Sequence, residues 1–285
     1  MKIAISIILY KSPIDVVRKN LDMLSKQDFL EDKNNYFEIF FSDNDNGLQI
    51  NIIKELTKKY PNLSFNFIVN DNIGFGGANN KAFYQINNNN KGQFDYFLIM
   101  NPDGISHPRM LKKLTDFAIS HNNKGIFESI QFPSEHPKIY NPTTKETRWC
   151  SGCCCLYPWQ IFQELQGFDE NFFMYMEDVD ISWRAREKGY KCFTVNDALF
   201  FHSVEDRKYL KNTEIMMYKS AYILSLKYRN NKKKRIYLKN LEKLLNNEDL
   251  LTFLNETSNI ELPNINNFIN IADFNHNFYF SEARW

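Results

Sequence analysis

The sequence predicts an α/β fold: a mostly parallel central sheet flanked by helices, followed by a helical C-terminal extension. Three observations carry this. Strand-like and helix-like hydrophobic periods alternate through the first hundred residues. Phe94 to Met100 is apolar on both faces, as a central strand of such a sheet must be. Each of the first four strands ends in a polar cluster, at the edge where open α/β sheets take their ligands.

The elements follow in order. Residues 3–10 form strand one, ending at Tyr10-Lys11-Ser12. From Pro13 to Lys26, Ile14, Val17, Leu21 and Leu24 share one helical face. Tyr36 to Phe41 is strand two, running into Ser42-Asp43-Asn44-Asp45. Ile50 to Tyr60 is helical and stopped by Pro61. Ser64 to Asn70 alternates as strand three. Gly74-Phe75-Gly76-Gly77 reads as a glycine-rich turn, Ala78 to Ile86 as a short helix and Asn87 to Asn90 as a polar loop. Strand four ends at Asn101-Pro102-Asp103. Any one of these polar clusters is ordinary turn chemistry; four at one edge point to a binding rim.

Beyond residue 104, Pro108 to His121 is a helix with Met110, Leu111, Leu114 and Phe117 inward. Residues 126–149 read as irregular and proline-bearing. Cys153 to Tyr157 is a strand, Trp159 to Leu165 a helix, and Gly167 to Glu170 a turn. Asp180 to Lys188 is a helix stopped at Gly189. Lys191 to Val195 and Ala198 to Phe201 are two short strands leading to His202. A helix from Thr213 runs into the basic stretch 227–235, and asparagine-rich helical segments close the sequence. There is no internal repeat.

The bulk numbers exclude several classes. A net charge of +1 argues against a dedicated nucleic-acid binder, and 43% apolar residues argue against disorder. No segment reads as a signal peptide, and no apolar run reaches the roughly 18–20 residues of a membrane span; a cytoplasmic protein is expected. Four of the five cysteines fall within 150–155. Neighbours in a strand face opposite ways, so free, half-buried thiols are expected rather than a zinc site.

The stretch Met176-Glu177-Asp178-Val179-Asp180 sets three acids behind the aromatic run Phe172-Phe173-Met174-Tyr175. Acids favour the first turn of a helix. A carboxylate at the mouth of an apolar cleft is equally the composition of a general base.

The sequence resembles the inverting family-2 glycosyltransferases of GT-A fold, in their rhamnosyltransferase and galactofuranosyltransferase-like branch. The resemblance rests on NDNIGFGGANN (70–80), MNPDG (100–104), WCSGCCCLYP (149–158), GFDENFFMYMEDVDISWRAREKGY (167–190) and FFH (200–202), in family order over residues 3–205. It implies that Asp178, the second acid of the Glu-Asp pair, is the base. Glu177 then orients the site or binds the acceptor, and Asp180 caps the helix or holds Arg184. Donor contacts are expected from Tyr10, Asp43, Asn72, Gly74, Gly76, Asn79 and Asn101. Asp43 would meet the base of the nucleotide or cap the next helix. Asn79 would touch the donor or sit on a solvated face. The glycines would let the backbone approach the donor.

Asn101-Pro102-Asp103 stands where the family carries its DXD metal motif, with Asn replacing the first acid. Asp103 and His202 are therefore the expected ligands of a Mn²⁺ or Mg²⁺ ion. Trp149 and Arg184 fall on the acceptor side, where Trp149 would stack on a sugar or serve the core.

The implied activity moves a sugar from a UDP- or dTDP-sugar to a glycan or lipid-linked acceptor in surface-polysaccharide, lipopolysaccharide or capsule synthesis. The expected division is a GT-A domain over 1–210, with a nucleotide-sugar half (1–104) and an acceptor half (105–210), then a helical extension over 211–285. The basic run 227–235 would touch the inner face of the membrane, and a homodimer is an expected partner state. Two other readings stay open: a nucleotidyltransferase, and a sugar-nucleotide-binding protein whose metal site has decayed.

Overall fold

The computed structural model describes residues 1–89, 94–136, 138–202, 210–262, 271–274 and 282–283. One twisted sheet organises them. Strands β1 (Lys2–Leu9), β2 (Tyr36–Asp43), β3 (Ser64–Val69) and β4 (Tyr96–Met100) are parallel, in the order β3-β2-β1-β4. Helices α1 (Ile14–Leu24), α2 (Ile50–Thr57) and α3 (Gly74–Asn89) connect them. Pro13 precedes α1, where its missing N–H costs nothing.

The sheet continues through β8 (Cys154–Pro158), β6 (Gly125–Glu135) and β9 (Lys191–His202) to β5 (Ile105–Ser106). β8 runs antiparallel to β4 and β6, whereas β6 and β9 are parallel to each other. The two-residue strands β7 (Glu146–Thr147) and β10 (Glu282–Ala283) pair with β9 and β6. Helices α4 (Met110–Ser120), α5 (Trp159–Glu164) and α6 (Glu177–Glu187) cover this half. Then follow α7 (Lys211–Lys227), α8 (Asn231–Leu244) and α9 (Asn247–Ser258).

The period of two in β1 divides the core. Ile3, Ile5, Ile7 and Leu9 join the cluster under α1, α2 and α4, while Ala4 faces the aromatic cluster of Phe83, Phe97, Trp159 and Phe162. A third cluster joins Trp149, Phe172, Val179 and Trp183 to Leu224 of α7, Leu241 of α8 and Phe253 of α9.

The sheet and most elements match the expected α/β class, with four local differences. The glycines 74–77 are the first turn of α3 rather than a separate turn, and the helix runs on to Asn89; Asn90 lies outside the described residues. Residues 125–135 are an eleven-residue buried strand, not an irregular stretch. Glu128, Ser129 and Gln131 interrupt its apolar pattern, yet they are buried: Glu128 and Ser129 meet polar partners inside the protein. The two short strands are one, β9, with a register shift opposite Ser129/Ile130. Helix α6 starts three residues before the expected Asp180. The segments 203–209, 263–270 and 275–281 lie outside the described residues.

Candidate active site

The carboxyl ends of β1, β2 and β4 open on one cleft of about 670 Å³, a size suited to a nucleotide-sized ligand. Tyr10 stands on its rim at 44% exposure, with Asn72 and Asn101 beside it. Met174, Tyr175, Met176 and Met217 give the lining an apolar part.

Asp103 and His202 meet on the cleft lining. β5 pairs with the end of β9, Ile105 against Phe201, so the residue two before β5 lands beside the last residue of β9. His202 Nε2 lies 3.4 Å from Asp103 Oδ1; the imidazole is buried and the carboxylate is 39% exposed. One carboxylate and one imidazole fit a divalent ion whose remaining ligands come from phosphate and water. Among the described residues no group of three or more His, Cys, Asp or Glu side chains is placed to hold a metal by itself.

Asp178 lines the same cleft from the first turn of α6. Its Oδ2 accepts from the Gly152 amide at 2.9 Å and its Oδ1 from the Val179 amide at 2.8 Å. Burial raises its pKa above the usual carboxylate range, and the two amides oppose the rise. Glu177 is buried, and its Oε2 has no hydrogen-bond partner among the described residues. Burial and then the neighbouring Asp178 charge push it well above the usual range. Both adjacent carboxyls are thus pushed upward, Glu177 the more strongly because it lacks the amide donors that oppose the rise at Asp178.

The backbone before α6 is unusual. Tyr175 (φ 70°) and Met176 (φ 67°) are both left-handed, at a cost of about 1–3 kcal/mol each. Surrounding bonds hold them there: Ser220 Oγ donates to Met174 O at 2.7 Å, and the Phe75 amide donates to Phe173 O at 2.9 Å. Gly74 permits that last contact, since a Cβ there would lie 2.1 Å from Phe173 O.

Several expected contacts are placed elsewhere. Asp43 is fully buried and its oxygens accept from the Asp45 and Gln49 amides at 2.9 and 2.7 Å. It shapes the turn into α2, and Asn44, next in sequence, lines the cleft. Asn79 is buried against Ser6, whose Oγ donates to Asn79 Oδ1 at 2.8 Å. The space beside Gly74 and Gly76 is taken by Phe173 O and by Phe168 and Glu177, so these glycines admit the protein's own 168–177 segment rather than a ligand. Trp149 is on the cleft lining but only 1% exposed, with the Lys138 ammonium over its ring at 4.3 Å. Arg184 turns inward: its Nε meets Asp180 Oδ2 at 2.7 Å, and it donates to the Leu165 and Gly167 carbonyls. The five cysteines are free but fully buried, not half-buried.

Sequence reasoning does not single out Asn44 and His136 as cleft groups; it expects the Ser151-Gly152 turn at the cleft but not the bond from the Gly152 amide to Asp178. Asn44 had a signal, as part of the polar cluster after strand two. A backbone amide has none.

A model described as glycosyltransferase-like family 2 matches residues 3–222. Rhamnosyltransferase WbbL of Escherichia coli (strain K12) is 26% identical over 245 residues, covering 70% of this chain and 86% of that protein. The N-acetylglucosaminyl-diphospho-decaprenol L-rhamnosyltransferase of Mycobacterium tuberculosis is 26% identical over 198 residues, covering 55% of this chain and 64% of that protein. Among solved structures, mannosyltransferase PcManGT from Pyrobaculum calidifontis, in complex with GDP-Man and Mn²⁺, superposes with a TM-score of 0.60. Its identity is 15%, over 92% of this chain and 76% of that one. Staphylococcus aureus TarS 1–349 with UDP-GlcNAc gives 0.57 at 17% identity, over 86% and 72%. These structures show the GT-A fold. The protein is a glycosyltransferase enzyme, and its chain belongs to glycosyltransferase-like family 2, with similarity to rhamnosyltransferases.

Proposed function

We propose that the protein is an inverting, divalent-metal-dependent glycosyltransferase acting on a nucleoside-diphospho-sugar, with Asp178 as general base. One observation carries this reading: Asp178 and the Asp103–His202 pair open on the same cleft, carboxylate against ligand pair.

Tyr10, Asn44, Asn72 and Asn101 face the donor from the carboxyl ends of the parallel strands. Asp103 and His202 would hold the ion, which when bound offsets charge on the leaving diphosphate. Asp178 takes the proton of the acceptor hydroxyl. That oxygen attacks the anomeric carbon from the face opposite the diphosphate, so the configuration inverts. Glu177 binds the acceptor or orients its neighbour.

The rhamnosyltransferase relatives favour a deoxyhexosyl donor such as a dTDP- or UDP-sugar, and an acceptor in surface-polysaccharide assembly. The name of the mycobacterial relative places a lipid diphosphate on that protein's acceptor, and the methionine-rich wall here suits an acceptor with an apolar part. Contact with anionic lipid falls to Arg229, Lys232 and Arg235, which are exposed. Lys227 and Tyr228, within the same basic run, are buried and take no part. Among the described residues no helix is long and apolar enough to cross a membrane. The proposed division keeps a GT-A unit over 1–210 and a helical extension over 211–285.

The test is nucleoside diphosphate release from a panel of UDP-, dTDP- and GDP-sugars with Mn²⁺, Mg²⁺ or EDTA. Release with one donor, abolished by EDTA and restored by Mn²⁺, is expected. Nucleotide binding without turnover under any metal would instead favour the decayed-site reading.

A further inference from the structure

Behind the Asp178 wall lies a buried ion pair that the reaction as described does not use. Glu128 of β6 is 2% exposed and Lys138 is 4% exposed. The Lys138 ammonium pairs with Glu128 Oε1, which also accepts from Thr194 Oγ1 of β9. Glu128 Oε2 accepts from the Ser151 amide. Lys138 Nζ donates to Trp149 O at 2.6 Å and covers the Trp149 ring. Both members of the pair therefore grip the segment 149–151.

The next amide in that segment is Gly152, the donor to Asp178. Two consecutive amides are thus held by two carboxylates, Glu128 behind and Asp178 in the cleft. The approach is close: a Cβ on Gly152 would lie 3.5 Å from Asp178 Cβ and 3.2 Å from Phe75 Cε1. A buried ion pair is a poor source of stability, because desolvation offsets most of its attraction. Its retention here is explained by what it holds.

We propose that Glu128 is a positioning residue: by anchoring the Ser151 amide it fixes the Gly152 N–H that orients the Asp178 carboxylate. The proposal rests on the reading of Asp178 as the base. The electrostatics agree with the geometry. Burial pushes Glu128 up to about 7 against the opposing Lys138 charge, and Lys138 also draws the Asp178 pKa down. Besides Lys138, the Cys150 thiol bears on Glu128, and Glu135 and His136 line the small cavity beside it. Glu128→Gln has one oxygen in place of two, so it cannot accept from Lys138 and Thr194 on one side and from Ser151 on the other; the Ser151 anchor weakens, and the uncompensated Lys138 charge moves the Asp178 titration to lower pH.

The experiment uses protein labelled with ¹⁵N at glycine and serine, as parent, Glu128→Gln, Thr194→Val and Asp178→Asn. Exchange and pH titration of the Ser151 and Gly152 amides are followed without substrate, and nucleoside diphosphate release is followed with Mn²⁺ and the best donor of the panel. In Glu128→Gln the Gly152 amide exchanges several-fold faster and its titration midpoint falls. The kcat drops about tenfold to a hundredfold with donor KM unchanged, the pattern of a displaced catalytic group. A folded Glu128→Gln protein with parental Gly152 exchange and midpoint overturns the proposal. Should Glu128→Gln fail to fold, Thr194→Val gives the same readouts at smaller size and the same contrary result. Full turnover in Asp178→Asn would defeat the base assignment separately, leaving the amide measurements to judge the contact.

Discussion

Asp178→Asn is expected to lower sugar transfer by about 10²–10⁴-fold, the usual contribution of a general base. Nucleotide-sugar binding should be retained. The amide of asparagine keeps an oxygen to accept from Gly152 or Val179 but cannot take a proton. The parent should lose kcat as pH falls through the Asp178 pKa. Burial places that limb above the ordinary aspartate range, since an acid raised in the folded protein regains its proton at higher pH. The limb should be missing from the asparagine variant. The measurement is kcat against pH for both proteins with equal Mn²⁺; an unchanged limb in Asp178→Asn would assign the base elsewhere.

Lys227→Met should cost about 3–5 kcal/mol of stability, as expected for removing one partner of a buried charge cluster. Asp180 is fully buried and receives Lys227 Nζ at 2.6 Å, Arg184 Nε at 2.7 Å and the Tyr228 hydroxyl at 3.2 Å. Lys227 also pairs with Asp169. Burial alone would raise the Asp169 pKa, but the Lys227 charge and hydrogen bond outweigh it and hold that carboxyl below its usual value. Two acids and two bases balance, and the cluster ties α7 to α6, the helix that carries Asp178. Without the ammonium, the fully buried Asp180 and the partly buried Asp169 lose the cation they share. Denaturant unfolding should show the loss, and Asp180→Asn/Lys227→Met should recover part of it. A single variant as stable as the parent would mean that α7 is held by its apolar contacts alone.

Much of this fold was legible because its strands obey simple periods. β1 is a nearly continuous apolar run, β4 is apolar on both faces, and both lie where expected. β6 was illegible because pattern reasoning assigns polar residues to the surface, whereas Glu128, Ser129 and Gln131 are buried between strands. The start of α6 was misplaced for a different reason. Its N-cap is Met176 in a left-handed conformation, and nothing about methionine announces a positive φ.

The site divides the same way. Asp103, His202, Asp178 and Glu177 carry their chemistry in their side chains, and the structure brings all four to one cleft. Asn79 and Asp43 have equally suggestive side chains but spend them inside the protein. For Asn79 the clue was Ser6, the one hydroxyl in an otherwise apolar strand, which needs a buried partner. Glycines 74 and 76 signal a close approach correctly; sequence could not say that the approaching groups are Phe173 at Gly74 and Phe168 and Glu177 at Gly76 rather than a ligand.

The central claim is a single displacement driven by one base, and the anomeric configuration of the product tests it most directly. With the donor identified from the panel, the coupling at the anomeric proton of the transferred sugar is read by NMR before mutarotation or further reaction. A configuration opposite to that of the donor is expected. A product with the donor's own configuration would contradict it.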